Sequence, residues 1–274
     1  MDLIDPAIRA EINSRLDAIE RKHGIRILYA AEAGSRSWGF ASPNSDYDVR
    51  FIYVPTDWRR YLMLEPFPEV ISLPPEGMWD FEGWDLRKTL RLLAKGNPSL
   101  AQRLYSPIVY RDNPTFLGNM RTLLAYAVPR AKLYWSYRSI ALSHLSRGVQ
   151  GRDEVSFKIL LYVVQAILAM KWTETSEELP PVLFAELVEK TVGGTENESL
   201  RIEIESLARM KSTAATQEQS ASKRLFPNIL RFIERSLEET QPPVAGETTL
   251  SPSQLDGFLL STLGLVGRSE NAPQ

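Results

Sequence analysis

The sequence predicts an α+β protein in which a small mixed sheet near the N-terminus precedes a helical region. Between residues 25 and 84, short apolar stretches are bounded by Gly, Pro or Asn, as β-strands are. After Pro114 the apolar residues recur every three to four positions, which is the spacing of amphipathic helices. Strands followed by a run of helices are typical of an α+β head with a helical companion. We therefore predict a head over residues 1–112, a helical domain over 113–240, and a linker and C-terminal tail over 241–274.

Within the head, Asp5 and Pro6 are typical of a helix start, and the apolar face that follows extends this helix to about residue 22. A second, short helix is predicted over residues 35–40, and Asp85 is the expected N-cap of a third. The predicted strands are residues 25–31, 47–54, 70–73 and 78–84, and the later helices of the head are 86–95 and 99–105.

The second part of the chain is predicted to be helical. Its longest apolar run, residues 159–170, is well short of the ~20 residues that span a bilayer, so it predicts a buried helix and no membrane segment. Stretches 148–153 and 193–195 are the expected loops, and the end after Gly267 is expected to be disordered. The predicted helices are residues 115–127, 130–147, 155–172, 182–190, 199–211 and 222–238.

The composition excludes several classes of protein. The chain has no cysteine, so a disulfide framework, a thiolate metal site and a cysteine nucleophile are all excluded. Its N-terminal segment is charged and has no apolar core of the signal-peptide type. These features predict a cytoplasmic protein, and they leave its oligomeric state open.

One stretch, AGSRSWGFASPNSDYDVRFIY over residues 33–53, carries the strongest functional signal. Gly34 and Ser35 follow an apolar strand, and such a Gly-Ser turn suits phosphate oxygens. Asp46 and Asp48 open the next strand, where side chains two residues apart share a face about 6–7 Å apart. Two such carboxylates suit a hard divalent cation, so the order predicts a phosphate site followed by a metal site.

The strand predicted over residues 78–84 carries two further acids. By period-two alternation, Asp80 and Glu82 share one face of that strand, and Trp79, Phe81 and Gly83 share the other. Periodicity alone does not distinguish the two acids.

The segment GSRSWGFASPNSDYDVRFIYVP, together with GWDLRKTLRLLAKGNPSL at residues 83–100, resembles the RNA-repair branch of the DNA polymerase beta-like nucleotidyltransferase superfamily. The resemblance covers about residues 25–172. It implies a metal-dependent enzyme that transfers a nucleoside monophosphate from a nucleoside triphosphate (NTP) to an acceptor hydroxyl, such as an RNA end, and releases pyrophosphate.

The resemblance also implies roles for particular residues. Asp46 and Asp48 would bind two Mg²⁺ or Mn²⁺ ions. Asp80 would share one of these ions as a ligand and would act as the base that activates the acceptor hydroxyl. Glu82 is the second choice for the role of Asp80. The implied nucleotide-binding residues are Gly34, Ser35, Arg36, Ser45 and, from the helical domain, Lys158.

The charge distribution bears on the acceptor. Residues 85–172 contain 14 Lys and Arg against 4 acids, although the whole chain has a net charge of −2. Such a basic section suits a polyphosphate or a nucleic acid, and a solvated helical surface is the alternative explanation. A second hypothesis for the whole chain is a non-catalytic module that keeps the fold and binds nucleotide, RNA or a partner protein.

Overall fold

The computed structural model describes residues 4–127, 129–214, 219–244 and 250–265. The chain divides into two compact units. The sheet unit comprises Met1–Ala33, Tyr47–Val128 and Glu247–Gln274, and the helical unit comprises Gly34–Asp46 and Pro129–Gly246.

Helices and strands occupy most of the described chain. The helices are α1 (Pro6–His23), α2 (Gly34–Trp38), α3 (Leu86–Ala94), α4 (Pro98–Leu104), α5 (Pro114–Ala127), α6 (Arg130–Gly148), α7 (Phe157–Thr175), α8 (Phe184–Val192), α9 (Glu198–Ser212), α10 (Pro227–Glu238) and α11 (Pro252–Thr262). The strands are β1 (Ile25–Glu32), β2 (Tyr47–Pro55), β3 (Val70–Ser72), β4 (Trp79–Asp85), β5 (Val109–Arg111), β6 (Glu154–Ser156) and β7 (Ser220–Ser222).

The sheet unit is built on a mixed sheet. Over the described residues the sheet has five strands in the order β3-β4-β2-β1-β5. Strands β2 and β4 are parallel, and the other neighbours are antiparallel. This mixed sheet, with helices around it and after it, confirms the predicted α+β class.

Helix α1 covers one face of the sheet. Asp5 caps it by accepting the Ala7 N–H at 2.8 Å, as the sequence predicts, and Gly24 ends it with φ 59°. One core buries the apolar stripe of α1 (Ile12, Leu16 and Ile19) together with alternate residues of β2 (Val49, Phe51 and Tyr53).

The alternation predicted for β2 and β4 is present. Phe51 and Phe81 point into the core under α1, and the Phe51 ring lies directly over Gly83. A Cβ atom at Gly83 would lie 2.0 Å from that ring, so only glycine fits this position of β4. Because side chains alternate, Asp48 of β2 and both Asp80 and Glu82 of β4 occupy the opposite face.

The helical unit is centred on α7. Residues 163–170 of this helix are buried without exception, which confirms the buried helix predicted from the apolar run. Helix α6 packs closely against it, because a Cβ atom at Gly148 would lie 2.6 Å from Ile159. In the described part of the chain, no helix is long and apolar enough to cross a membrane.

Several elements differ from the sequence predictions. Strand β5 was not predicted because it has three residues and no periodicity to detect. Helices α7 and α10 begin later than predicted, because Glu154–Ser156 and Ser220–Ser222 pair with each other as β6 and β7.

The division into units also differs from the predicted domain boundaries. Helix α5 groups with the sheet unit, and the segment 241–274 contributes α11 to the same unit. The Phe116 and Phe258 rings, 6.0 Å apart, join these two helices. The predicted disorder after Gly267 lies outside the described residues.

Candidate active site

Two carboxylates lie side by side at the start of neighbouring parallel strands. Asp48 of β2 is in direct register with Asp80 of β4, and Arg50 is in register with Glu82. The sequence predicted the faces of both strands, and the parallel pairing brings their acids together. Asp80 is therefore the neighbour of Asp48, and Glu82 lies two residues further along β4, beside Arg50.

Arg50 bridges these two carboxylates. Its Nη2 donates to Asp48 Oδ1 at 2.9 Å and to Asp80 Oδ2 at 2.6 Å, and its Nη1 donates to the Asp80 carbonyl oxygen at 3.1 Å. The hydrogen bond from Arg50 is the main reason that the pKa of Asp80 lies below its ordinary value. Asp80 is thus held as an anion and is a weak proton acceptor in this arrangement.

Glu82 has a different partner. Its Oε1 accepts a 2.8 Å hydrogen bond from Arg103, whose guanidinium carbon lies 3.3 Å from the centroid of the Trp84 ring. Burial lowers the pKa of Arg103 to about 10. Sequence analysis did not identify Arg103 as part of this cluster, because α4 and β4 are separated along the chain.

The backbone at Asp48 is fixed by a buried acid. Glu32 Oε1 accepts the Asp48 N–H at 2.9 Å, and Glu32 Oε2 accepts the Tyr110 hydroxyl at 2.6 Å. The Asp48 carbonyl in turn accepts the Ala33 N–H at 2.9 Å. Buried, hydrogen-bonded carboxylates of this kind hold a strand end rigidly, so Glu32 is a positioning residue that the sequence analysis missed.

In the helical unit, residues 34–46 form a compact segment that begins with the short helix α2, and we call this segment the Gly-Ser loop. Gly34 has φ 60°, which favours glycine, and Ser35 is buried. Arg36 donates to the carbonyl oxygens of Asp46 and Ser45 at 3.0 and 2.6 Å. Arg36 therefore holds the end of the loop against its beginning.

A buried lysine lies against the same loop. Lys211 of α9 is 2% exposed, and its Nζ lies 3.3 Å from both Ser42 Oγ and Ser45 Oγ. Burial lowers the pKa of this ammonium, and the positive charges of Lys158 and Arg36 lower it further, whereas Asp46 raises it. These residues form a cationic cluster, which we define as Lys211, Lys158 and Arg36.

The sequence did contain a signal for Lys211. The buried positions of α9 are Leu200, Ile204, Leu207 and Lys211, which follow one helical face. A lysine in the apolar phase of an amphipathic helix lies on its buried side. Lys158, the lysine predicted from sequence, lies in the first turn of α7 and is half-buried.

Much of the basic section is used inside the fold. Instead of lining a continuous surface, several of its guanidinium groups bind carbonyl oxygens or carboxylates of their own unit: Arg121 with Leu104, Arg130 with Thr173 and Glu174, Arg138 with Leu237, and Arg111 with Asp17 and Glu20. Residue counts alone therefore overstate the positive surface available to a nucleic acid.

The acids of the sheet unit fit a hard cation in their chemistry. Asp48 and Asp80 offer adjacent carboxylate oxygens, the donors that Mg²⁺ and Mn²⁺ prefer. Among the described residues, no group of three or more His, Cys, Asp or Glu side chains is arranged to hold a metal ion. Within the sheet unit, Arg50 binds one oxygen of each aspartate, Asp48 Oδ1 and Asp80 Oδ2.

A mixed sheet with acids at the start of adjacent strands, after a Gly-Ser loop, defines the class of polymerase beta-like nucleotidyltransferases. The model of RlaP, the RNA repair pathway DNA polymerase beta family, matches residues 8–261, and the chain belongs to this family. The resemblance inferred from residues 34–55 and 83–100 is thus confirmed, and the match extends into the helical unit.

Two further similarities accompany this assignment. The uncharacterized protein YcgL of Bacillus subtilis (strain 168) is 37% identical over 261 residues, covering 93% of this chain and 96% of that protein. A solved nucleotidyltransferase-like protein from Exiguobacterium sibiricum 255-15 aligns over 97% of this chain and 96% of its own, with 12% identity and a TM-score of 0.34.

Proposed function

We propose that this protein is a metal-dependent nucleotidyltransferase that moves a nucleoside monophosphate from an NTP to an acceptor hydroxyl, with release of pyrophosphate. The observation that carries the proposal is the direct register of Asp48 with Asp80 at the start of two parallel strands. Family membership supports the reaction class. An RNA end is the acceptor that the family description favours.

In this proposal the acids form the metal site. Asp48 and Asp80 of the sheet unit supply carboxylate oxygens, and Asp46, two residues before Asp48 in the chain, is the further aspartate that the motif provides. A bound Mg²⁺ or Mn²⁺ would neutralise phosphate charge and lower the pKa of the attacking hydroxyl. Asp80 acts as a ligand, since a carboxylate with a lowered pKa is a poor base near neutral pH.

The phosphate-binding role falls to the loop of the helical unit and the cationic cluster. Gly34, Ser35 and Ser45 belong to the loop, and Lys158 and Lys211 supply positive charge from two helices. Arg36 has a supporting role, because its guanidinium binds two backbone carbonyls of the loop. An anion would relieve the repulsion among Lys211, Lys158 and Arg36.

We expect Lys211→Met to weaken NTP binding at least tenfold, about 1.4 kcal/mol, while the protein stays folded. Methionine has a similar length, and the change removes a desolvated charge whose hydrogen-bond partners among the described residues are the hydroxyls of Ser42 and Ser45. Fluorescence titration with a labelled NTP measures the affinity, and thermal unfolding without ligand measures the fold. The matched control is Lys190→Met, an exposed lysine of the same unit paired with Glu186. Equal affinity in Lys211→Met and in the control would remove Lys211 from the phosphate site.

For an RNA acceptor, we expect binding to weaken with salt and Lys132→Gln to reduce the log–log slope by about 0.7, the value for one single-strand phosphate contact. Lys132 is exposed on α6. Arg130→Gln should instead lower stability and leave the slope unchanged, because its guanidinium binds the carbonyls of Thr173 and Glu174. Filter binding of a mixed RNA pool at several salt concentrations measures the slope. Salt-independent binding, or none at low salt, would argue for a protein or small-molecule acceptor.

The second candidate function is a non-catalytic binding module. The observation that favours it is the pairing of Arg50 with both aspartates, which already neutralises the carboxylates that a metal would need. Such a protein would bind nucleotide or RNA without turnover.

One experiment separates the two functions. The full chain is incubated with each NTP, Mg²⁺ or Mn²⁺, and a mixed RNA pool, and both pyrophosphate release and label transfer from α-labelled NTP are measured. Metal-dependent transfer supports the enzyme. Nucleotide binding with no pyrophosphate release under any of these conditions supports the binding module.

A further inference from the structure

Arg50 occupies the place where a cation would bind to the sheet unit. Its side chain is 16% exposed, and it bonds one oxygen from each of Asp48 and Asp80. These two oxygens are on neighbouring strands in direct register. A metal ion and the Arg50 guanidinium therefore compete for the same lone pairs.

The competition has a physical origin in the pairing of the strands. Two adjacent carboxylates repel each other unless a positive charge lies between them. Arg50 supplies that charge from within the chain, because it lies two residues after Asp48 on the same face of β2. When Arg50 leaves, it needs another anionic partner, since an unpaired half-buried charge is costly.

Glu82 is placed to be that partner. It is the register neighbour of Arg50 on β4, and it faces the same side of the sheet. At present Glu82 Oε1 accepts a 2.8 Å hydrogen bond from Arg103.

We infer that Arg50 is an internal counter-cation that a divalent metal must displace from Asp48 and Asp80, and that Glu82 receives the displaced guanidinium. This inference rests on the proposed metal site. It gives the two candidate third carboxylates different roles: Asp80 is a ligand, and Glu82 is a positioning residue that acts through Arg50. The affinity for the metal then depends on the free energy of moving the Arg50 guanidinium from the two aspartates to Glu82, and not on the carboxylates alone.

The test is Mn²⁺ binding by the full chain, measured by electron paramagnetic resonance of free Mn²⁺ at low ionic strength. We expect Arg50→Met to bind Mn²⁺ at least tenfold more tightly than the unaltered protein. Arg50→Lys retains a positive charge but lacks the planar guanidinium that donates to both aspartates, so its Mn²⁺ affinity should be intermediate. The matched control is Arg111→Met, because Arg111 also bridges two carboxylates of the sheet unit, Asp17 and Glu20. Its Mn²⁺ affinity should be unchanged.

Two further measurements separate this role from a merely structural one. Both Arg50→Met and Arg111→Met should lower the unfolding temperature, but added Mn²⁺ should restore it only in Arg50→Met. Glu82→Gln should weaken Mn²⁺ binding several-fold, and this effect should vanish in the Arg50→Met/Glu82→Gln double variant, because no guanidinium then needs a receiver.

These measurements distinguish a failure of the inference about Arg50 from a failure of the proposed function. Equal or weaker Mn²⁺ binding in Arg50→Met and Arg50→Lys would overturn the inference and leave nucleotidyl transfer to be judged by its own assay. Tight binding by Arg50→Met with none by the unaltered protein would support the inference and favour the non-catalytic module. An absence of binding in every folded variant would overturn both the inference and the metal site.

Discussion

Replacing Asp48 with Asn lowers nucleotidyl transfer by more than about 100-fold while leaving the fold intact, if the proposed metal site is correct. That magnitude is typical of removing one principal electrostatic stabiliser of a transition state. Asparagine preserves the shape of the side chain, and the backbone bonds of Asp48 with Glu32 and Ala33 do not involve the changed group. We expect Asp46→Asn to have an effect of similar size, because it removes the neighbouring carboxylate of the same motif.

The measurement is label transfer from an α-labelled NTP, with thermal unfolding of each variant as the test of folding. Asp57→Asn is the matched control, since Asp57 is an exposed cap that accepts the Arg59 N–H and asparagine caps equally well. A folded Asp46→Asn/Asp48→Asn double variant with a near-normal rate would refute the two-aspartate site.

The second prediction with a large expected effect distinguishes the roles of Asp80 and Glu82 in β4. We expect Asp80→Ala to stop transfer, with a loss of more than about 100-fold, and to leave NTP binding nearly unchanged. Glu82→Ala should reduce the rate only mildly. The reason is register, because Asp80 lies beside Asp48 whereas Glu82 lies beside Arg50 and is bound by Arg103.

Single-turnover transfer and NTP titration of both variants provide the comparison. Each substitution removes a surface-facing carboxylate from the same strand, so the two variants serve as controls for each other. The reverse pattern, with Glu82→Ala inactive and Asp80→Ala mild, would assign the third carboxylate to Glu82.

The two strands that carry these acids illustrate what could be predicted. Alternation in residues 47–54 and 78–84 indicated which side chains share a face. The presence of Val49, Phe51, Tyr53 and Phe81 in one core confirms it. The parallel pairing that places Asp48 beside Asp80 could not be read from either strand, because register is set by the packing of the whole sheet. The choice between Asp80 and Glu82 depended on that register.

Charged side chains were the least predictable feature. The sequence shows a basic section, but it does not show that Arg121 and Arg130 end at backbone carbonyls or that Arg50 lies between two aspartates. A long side chain reaches partners that are distant along the chain, so its role is decided by the elements packed around it. Lys211 is a partial exception, since its helical phase indicated burial.

The sequence by itself determined the α+β class and the family, and it singled out residues 34–48 as the segment on which the proposed function depends. Local spacing is sufficient for these, because a Gly-Ser turn and two aspartates two residues apart form a pattern within one short segment. The structure places Asp48 in β2 and Asp46 just before that strand. Only the tertiary structure decided which acid accompanies Asp48, which cations support the loop of the helical unit, and which residue now neutralises the aspartates. Those are long-range pairings, and they exist only after the sheet has assembled and the helices have packed.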